Sequence, residues 1–145
     1  MLLTFVGIIS VAPVVAGDLS GMYLDTYTIK GHKSGTEKFG TVVQLQQTAP
    51  GKATIQVDMC HGSAYAATCC GDVEATGTIQ GNKVIATATD SEYPCKLVIK
   101  VNQRNQLSID EVGGCMAFHG ISCSFGMAKN LRRVGPAKLN SERPW

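Results

Sequence analysis

Apolar and polar residues alternate along most of the chain with a repeat of two, the period of a strand with one face buried and the other wet. Over residues 72–80, Val73, Ala75, Gly77 and Ile79 share one face while Glu74, Thr76, Thr78 and Gln80 share the other. Ala53, Ile55, Val57 and Met59 alternate in the same way with Thr54, Gln56 and Asp58, and Cys95, Leu97, Ile99 and Val101 with Lys96 and Lys100 opposite. Turn-forming residues separate the runs at Pro50-Gly51, Gln80-Gly81-Asn82, Asn102 to Asn105 and Gly113-Gly114, gaps short enough for antiparallel hairpins. The pattern predicts strands over 22–30, 39–47, 52–60, 72–80, 83–89, 95–101, 106–112 and 123–129, with nothing long and helical between them.

Hairpin-linked strands with one apolar face remove their exposed edges by closing on themselves. The expected fold is therefore all-β: a single small antiparallel β-barrel of about eight strands with disulfide-stapled loops, a β-sandwich being the alternative. Many inward positions are small, among them Ala53, Ala75, Gly77, Ala86 and Ala88. Small residues fit either a ligand cavity or a tightly curved barrel with little to fill. Aromatic residues make up 6% of the chain, which favours the tight barrel, since ligand pockets lean on aromatic walls.

Composition narrows the class further. The chain has 145 residues, 44% hydrophobic and 17% charged, with mean hydropathy +0.06, too apolar for disorder. After residue 16 no apolar run is long enough to span a bilayer as a helix, so an integral membrane protein is not expected. Residues 1–16 (MLLTFVGIISVAPVVA) are uncharged and apolar, and Val14 and Ala16 occupy the positions a signal peptidase reads. Three segments are expected: a signal peptide over 1–16, the barrel over 17–130 and a flexible basic tail over 131–145, in a periplasmic or secreted protein.

Cys60, Cys69, Cys70, Cys95, Cys115 and Cys123 all lie in the mature part. An even number in an exported chain favours disulfides. Cys95 and Cys115 flank a hairpin and are expected to pair; the other four make two further bridges, with the adjacent Cys69 and Cys70 taking different partners. Cys60-His61 and Cys69-Cys70 with His119 and Cys123 bring soft ligands together, yet no CxxC or HxxxH spacing holds them tetrahedrally, so no metal and no cofactor are expected.

The net charge of +2 conceals a division. Residues 17–128 hold eight Lys/Arg and ten Asp/Glu, hence 8 − 10 = −2, and residues 129–145 hold five against one, hence 5 − 1 = +4. An acidic body without a basic stripe interleaved with aromatics is not a nucleic-acid surface.

Two cysteine-bounded loops hold the unusual residues. The first runs from Cys60 to Cys70 with His61, Ser63 and Tyr65; the second from Cys115 to Cys123 with Phe118 and His119. A loop stapled at its base loses less entropy on binding, so these five side chains are the candidate partner contacts. The residue types of a serine hydrolase occur in Ser63, His61 or His119, and Asp58, Asp72 or Asp110, but no GxSxG surrounds the serine. Asp110 and Glu111 are strand neighbours and point to opposite faces, so they cannot jointly flank a glycosidic bond. No enzyme is expected.

The segment from Tyr93 to Lys129 opens a Leu97/Ile99/Val101 strand at Cys95 and continues through Leu107/Ile109, Gly114-Cys115, His119-Gly120 and Phe125-Gly126. It resembles the C-terminal halves of small exported bacterial β-barrels that inhibit lysozymes, and Leu19-Ser20-Gly21-Met22-Tyr23 resembles their first strand. Together these cover about a third of the mature chain. The resemblance implies a periplasmic protein that inserts a loop into a lysozyme or related peptidoglycan hydrolase and blocks the active-site cleft. In the membrane-bound and periplasmic c-type lysozyme inhibitor family an SGSGxKY-like loop carries the Ser, Lys and Tyr contacts. Here His61-Gly62-Ser63-Ala64-Tyr65 keeps Gly, Ser and Tyr in order and lacks the Lys. A small-ligand-binding barrel and an envelope structural module are the alternative functions.

Overall fold

The computed structural model describes residues 17–31, 35–62, 69–89 and 92–141; the expected signal peptide over 1–16 lies outside them. Eight antiparallel strands form a closed barrel in sequence order: β1 (Gly21–Gly31), β2 (Gly35–Ala49), β3 (Lys52–His61), β4 (Cys69–Gln80), β5 (Lys83–Ala88), β6 (Lys96–Val101), β7 (Gln106–Gly113) and β8 (Leu131–Gly135). The barrel expected from the alternation is the one observed, and the sandwich is not. The turn at Gly81 has φ +63°, the left-handed conformation a two-residue hairpin connection demands and glycine supplies without strain.

Register sets the inward rows. Tyr23 pairs with Val43, Val43 with Val57 and Val57 with Val73, while Leu45, Ile55, Ala75 and Ala88 form the next row. All eight are buried. Across the barrel, Ala86 faces Leu97, and Val84, Ile99 and Ile109 complete the core. Ala75 sits beside Ile55 and Ala86 beside Leu97, so these small inward residues relieve crowding in a tightly curved barrel.

The eighth strand is not where periodicity placed it. Cys123 and Phe125 are buried at alternate positions, which imitates a strand, but 123–129 contains a 3-10 turn at Phe125–Met127. Its backbone bonds close locally, Met127 N to Ser124 O and Ala128 N to Phe125 O, and Ser124 Oγ accepts from Gly126 N at 3.0 Å. The closing strand is β8, which lies in the segment read as a flexible tail over 131–145. Only Leu131 of its five residues is buried, so no alternation marks it.

Beyond β8 the chain turns back onto the outer face of β2 and β3. Gln44 Oε1 accepts from Lys138 N at 2.9 Å and Gln56 Oε1 from Asn140 N at 2.7 Å, while Gln56 Nε2 donates to Asn140 Oδ1 at 2.8 Å.

Three disulfides, Cys60–Cys70, Cys69–Cys123 and Cys95–Cys115, use all six cysteines. Cys95–Cys115 pairs as its flanking hairpin suggests, and Cys69 and Cys70 do take different partners. Such bridges persist in an oxidising, extracytoplasmic environment. Their sequence separations are 10, 54 and 20. Chain entropy then predicts that replacing both cysteines of a pair by alanine costs about 4 kcal/mol for Cys69–Cys123, about 3 for Cys95–Cys115 and somewhat less for Cys60–Cys70. Urea unfolding of the three double variants checks that order, and a Cys60–Cys70 variant less stable than the other two would contradict it.

Candidate functional site

The odd-numbered strands all run toward one end of the barrel, and the three disulfides gather there. Cys60 and Cys70 face each other across β3 and β4, Cys69 ties β4 to the segment between β7 and β8, and Cys95–Cys115 ties the start of β6 to the end of β7. The two cysteine-bounded loops therefore leave from one platform.

The first loop is clamped at its root. The Tyr27 hydroxyl accepts from Gly62 N at 3.1 Å and lies 3.3 Å from both the Gly62 carbonyl and His61 Nδ1. His61 Nε2 lies 3.0 Å from Thr41 Oγ1, and the Tyr27 ring stacks on Phe39 with centroids 5.7 Å apart. Desolvation holds the His61 imidazole below its ordinary value of 6.5, against the upward pull of the Asp25 carboxylate. Ser63 and Tyr65 lie outside the described residues.

The second loop crosses the barrel mouth. β7 and β8 are neighbours, yet the chain between them reaches β4, where His119 bridges Gly71 and Phe118 O accepts from Asp72 N at 3.1 Å. Gly71 permits the approach: a Cβ there would sit 2.5 Å from His119 Cβ and 2.6 Å from Phe118 O. Phe125 drops into the core with no exposed surface.

Glu111, one inward position beyond Ile109, gathers this segment. Its carboxylate accepts from Ser124 Oγ at 2.7 Å, Phe125 N at 2.9 Å and His119 Nε2 at 3.1 Å. Burial pushes the Glu111 carboxyl up, and the hydrogen bonds from Ser124, His119 and Phe125 outweigh it and hold the group below its ordinary value. His119 Nδ1 lies 2.7 Å from the Gly120 carbonyl.

Of the five candidate contacts, three side chains are described. The His119 side chain is 3% exposed and serves as an internal strut; His61 is half-buried beneath the first loop. Phe118 is half-buried, with Tyr93 edge-on at 6.4 Å. Alternation and loop spacing missed what stands exposed around them: Tyr93, Val112, Met116, Ile121 and Met127, with Ile121 at 89%. These are most of the large exposed apolar residues among those described, and all belong to this end. Isolated exposed apolar side chains are ordinary; their gathering on one stapled face is a recognition signal.

The Ser124 hydroxyl donates to the Glu111 carboxylate and not to His119, and all six cysteines are oxidised. Among the described residues no group of three His, Cys, Asp or Glu is placed to hold a metal, and no helix is long and apolar enough to cross a membrane. No protein-family model, no curated protein and no solved structure matches the chain.

The two depressed values predict a staged loss of stability in acid. A histidine held low is neutral in the folded protein where the unfolded chain already takes a proton, so its contribution is complete above 6.5 and declines as pH falls below that. The Glu111 contribution is complete above 4.5 and is lost as pH falls through the lower folded value. Urea midpoints against pH are expected to fall in two steps, with His61→Asn removing the upper and Glu111→Gln diminishing the lower, which Asp18 and Asp110 share. At neutral pH Glu111→Gln is expected to cost about 2–3 kcal/mol. An acid profile of Glu111→Gln superimposable on that of the parent would refute the assignment.

Proposed function

We propose that the protein is an exported inhibitor that docks its disulfide-held barrel end onto a lysozyme or related peptidoglycan hydrolase and covers the active-site cleft. The observation that carries this reading is the Ile121 knob, 89% exposed on a turn whose Cys123 is bridged to β4, with Met116, Met127 and Tyr93 exposed at the same end. A rigid apolar projection binds without first losing conformational entropy, and a projecting loop suits a concave partner such as an enzyme cleft. The Cys60–Cys70 bridge and the Tyr27 clamp at Gly62 N hold the root of the first loop at the same end. The segment 93–129 that resembles the lysozyme inhibitors includes Tyr93, Met116, Ile121 and Met127. The net charge of −2 over residues 17–128 adds a small attraction to a basic enzyme. Inhibition here is steric and involves no chemistry by this chain.

The ligand-carrier alternative draws no support from an interior occupied by Tyr23, Leu45, Ile55, Leu97 and Ile109. Titrating the oxidised protein into c-type, g-type and i-type lysozyme assays is expected to slow at least one of them. Ile121→Asp is expected to weaken that inhibition about tenfold or more with an unchanged unfolding midpoint, as loss of an interface anchor does. Unchanged rates with all three enzyme types would end the proposal.

A further inference from the structure

The opposite end of the barrel carries a different chemistry. β8 pairs Arg132 with Gln106 and Arg133 with Tyr23, which brings both arginines to the β6–β7 turn and Arg104. Arg104, Asn105, Gln106, Arg132 and Arg133 line one cleft of about 410 Å3. A second cleft of about 620 Å3 shares Arg104 and Gln106 and adds Asn102, Gln103 and Asn130.

The turn that presents Arg104 is preorganised. Asn102 Oδ1 accepts from Arg104 N at 2.9 Å and Gln106 N at 3.0 Å, and Asn102 Nδ2 donates to Gln106 Oε1 at 3.0 Å. That last bond occupies the Gln106 side-chain acceptor and leaves its amide donors available. Arg133 Nε donates to Ser20 O at 3.0 Å, which fixes the side chain while its remaining N–H groups stay available. Among the described residues the ion pairs involve Lys100, Lys129 and His119, and none of these arginines. Asp18 is the carboxylate that feels Arg133, and it already accepts from Ser20 N at 2.9 Å. Arg104, Arg132, Arg133 and Gln106 thus border one cleft with an excess of donors, and guanidinium forks match the oxygens of sulfate and phosphate esters.

We infer that these adjoining clefts bind an anionic polysaccharide, with a sulfate or phosphate ester among the arginines and neighbouring sugar hydroxyls against the amides of Asn102, Gln103 and Asn130. The lining residues favour this occupant over other polyanions. Single-stranded nucleic acid is held by stacking on aromatic side chains, and neither cleft has one. A bilayer surface is held by apolar residues inserted beside basic ones, and neither lining supplies them.

Calorimetric titration of the full oxidised chain with a heparin hexasaccharide tests the site, with the desulfated hexasaccharide, inorganic sulfate, phosphatidylglycerol vesicles and a thymidine oligonucleotide as parallel arms. The sulfated sugar is expected to bind more tightly than every other arm. Arg104→Gln/Arg132→Gln is expected to weaken it about tenfold or more, whereas Lys52→Gln/Lys96→Gln, which removes the same charge elsewhere, changes it less than about twofold. Equal losses in the two double variants, no binding of the hexasaccharide, or equally tight binding of vesicles, oligonucleotide or free sulfate would each overturn the proposal. Matching thermal unfolding of both double variants shows that a loss belongs to the cleft and not to the fold. Lysozyme inhibition by Arg104→Gln/Arg132→Gln is expected to equal that of the parent, which keeps this site separable from the docking end.

Discussion

Glu111 is a carboxylate on the inward face of a closed barrel, and the end of the molecule is organised around satisfying it. A partly buried carboxylate without donors would carry a large desolvation penalty. The donors come from one segment: the hydroxyl of Ser124, the backbone N–H of Phe125 and the ring of His119. Bringing them there sends the chain across the mouth between two strands that a short turn could have joined. Once the segment lies there, Phe125 fills the core and Gly71 admits the His119 backbone to β4. The Cys69–Cys123 bridge then fixes what the hydrogen bonds arrange.

The barrel was legible because its information is local and repeated. In β3 and β4 every second residue is apolar, and the register between them follows from burying both faces together. β8 was illegible for the converse reason. A five-residue strand with one buried side chain is held by pairing with β1 and β7 and by nothing periodic of its own. Residues 123–129 deceived in the other direction, since Cys123 and Phe125 alternate because a bridge and a core pocket claim them. The Cys95–Cys115 pairing was readable from a hairpin. The other two bridges depended on a crossing that no spacing announces.

The candidate site was legible in its location and not in its contacts. Cysteine-bounded loops marked the end where the exposed apolar residues stand, but residue type did not show which side chains are exposed there. His119 and His61 look like surface chemistry and are internal supports, one for Glu111 and the other beside Thr41 and Tyr27. The residues that stand out from the surface, Met116 and Ile121, are ones that sequence reading ordinarily assigns to cores. Their exposure becomes visible only once the neighbouring positions are seen to point inward.

The same misplacement of β8 hid the second site. Arg132 and Arg133 read as part of a solvated tail contribute a diffuse charge, which is worth little in salt. Held in β8 beside a turn ordered by Asn102, they border an open surface cleft together with Arg104. The barrel thereby separates two surface chemistries along its axis, an apolar and disulfide-held end, proposed to meet a folded partner, and a donor-rich end, proposed to meet a polyanion. The core between them is fully packed, and the two ends share no side chain. Binding energies at such distant sites add with little coupling, so on the two proposals together a polyanion held at one end would concentrate the protein near that polymer without altering the surface it presents at the other.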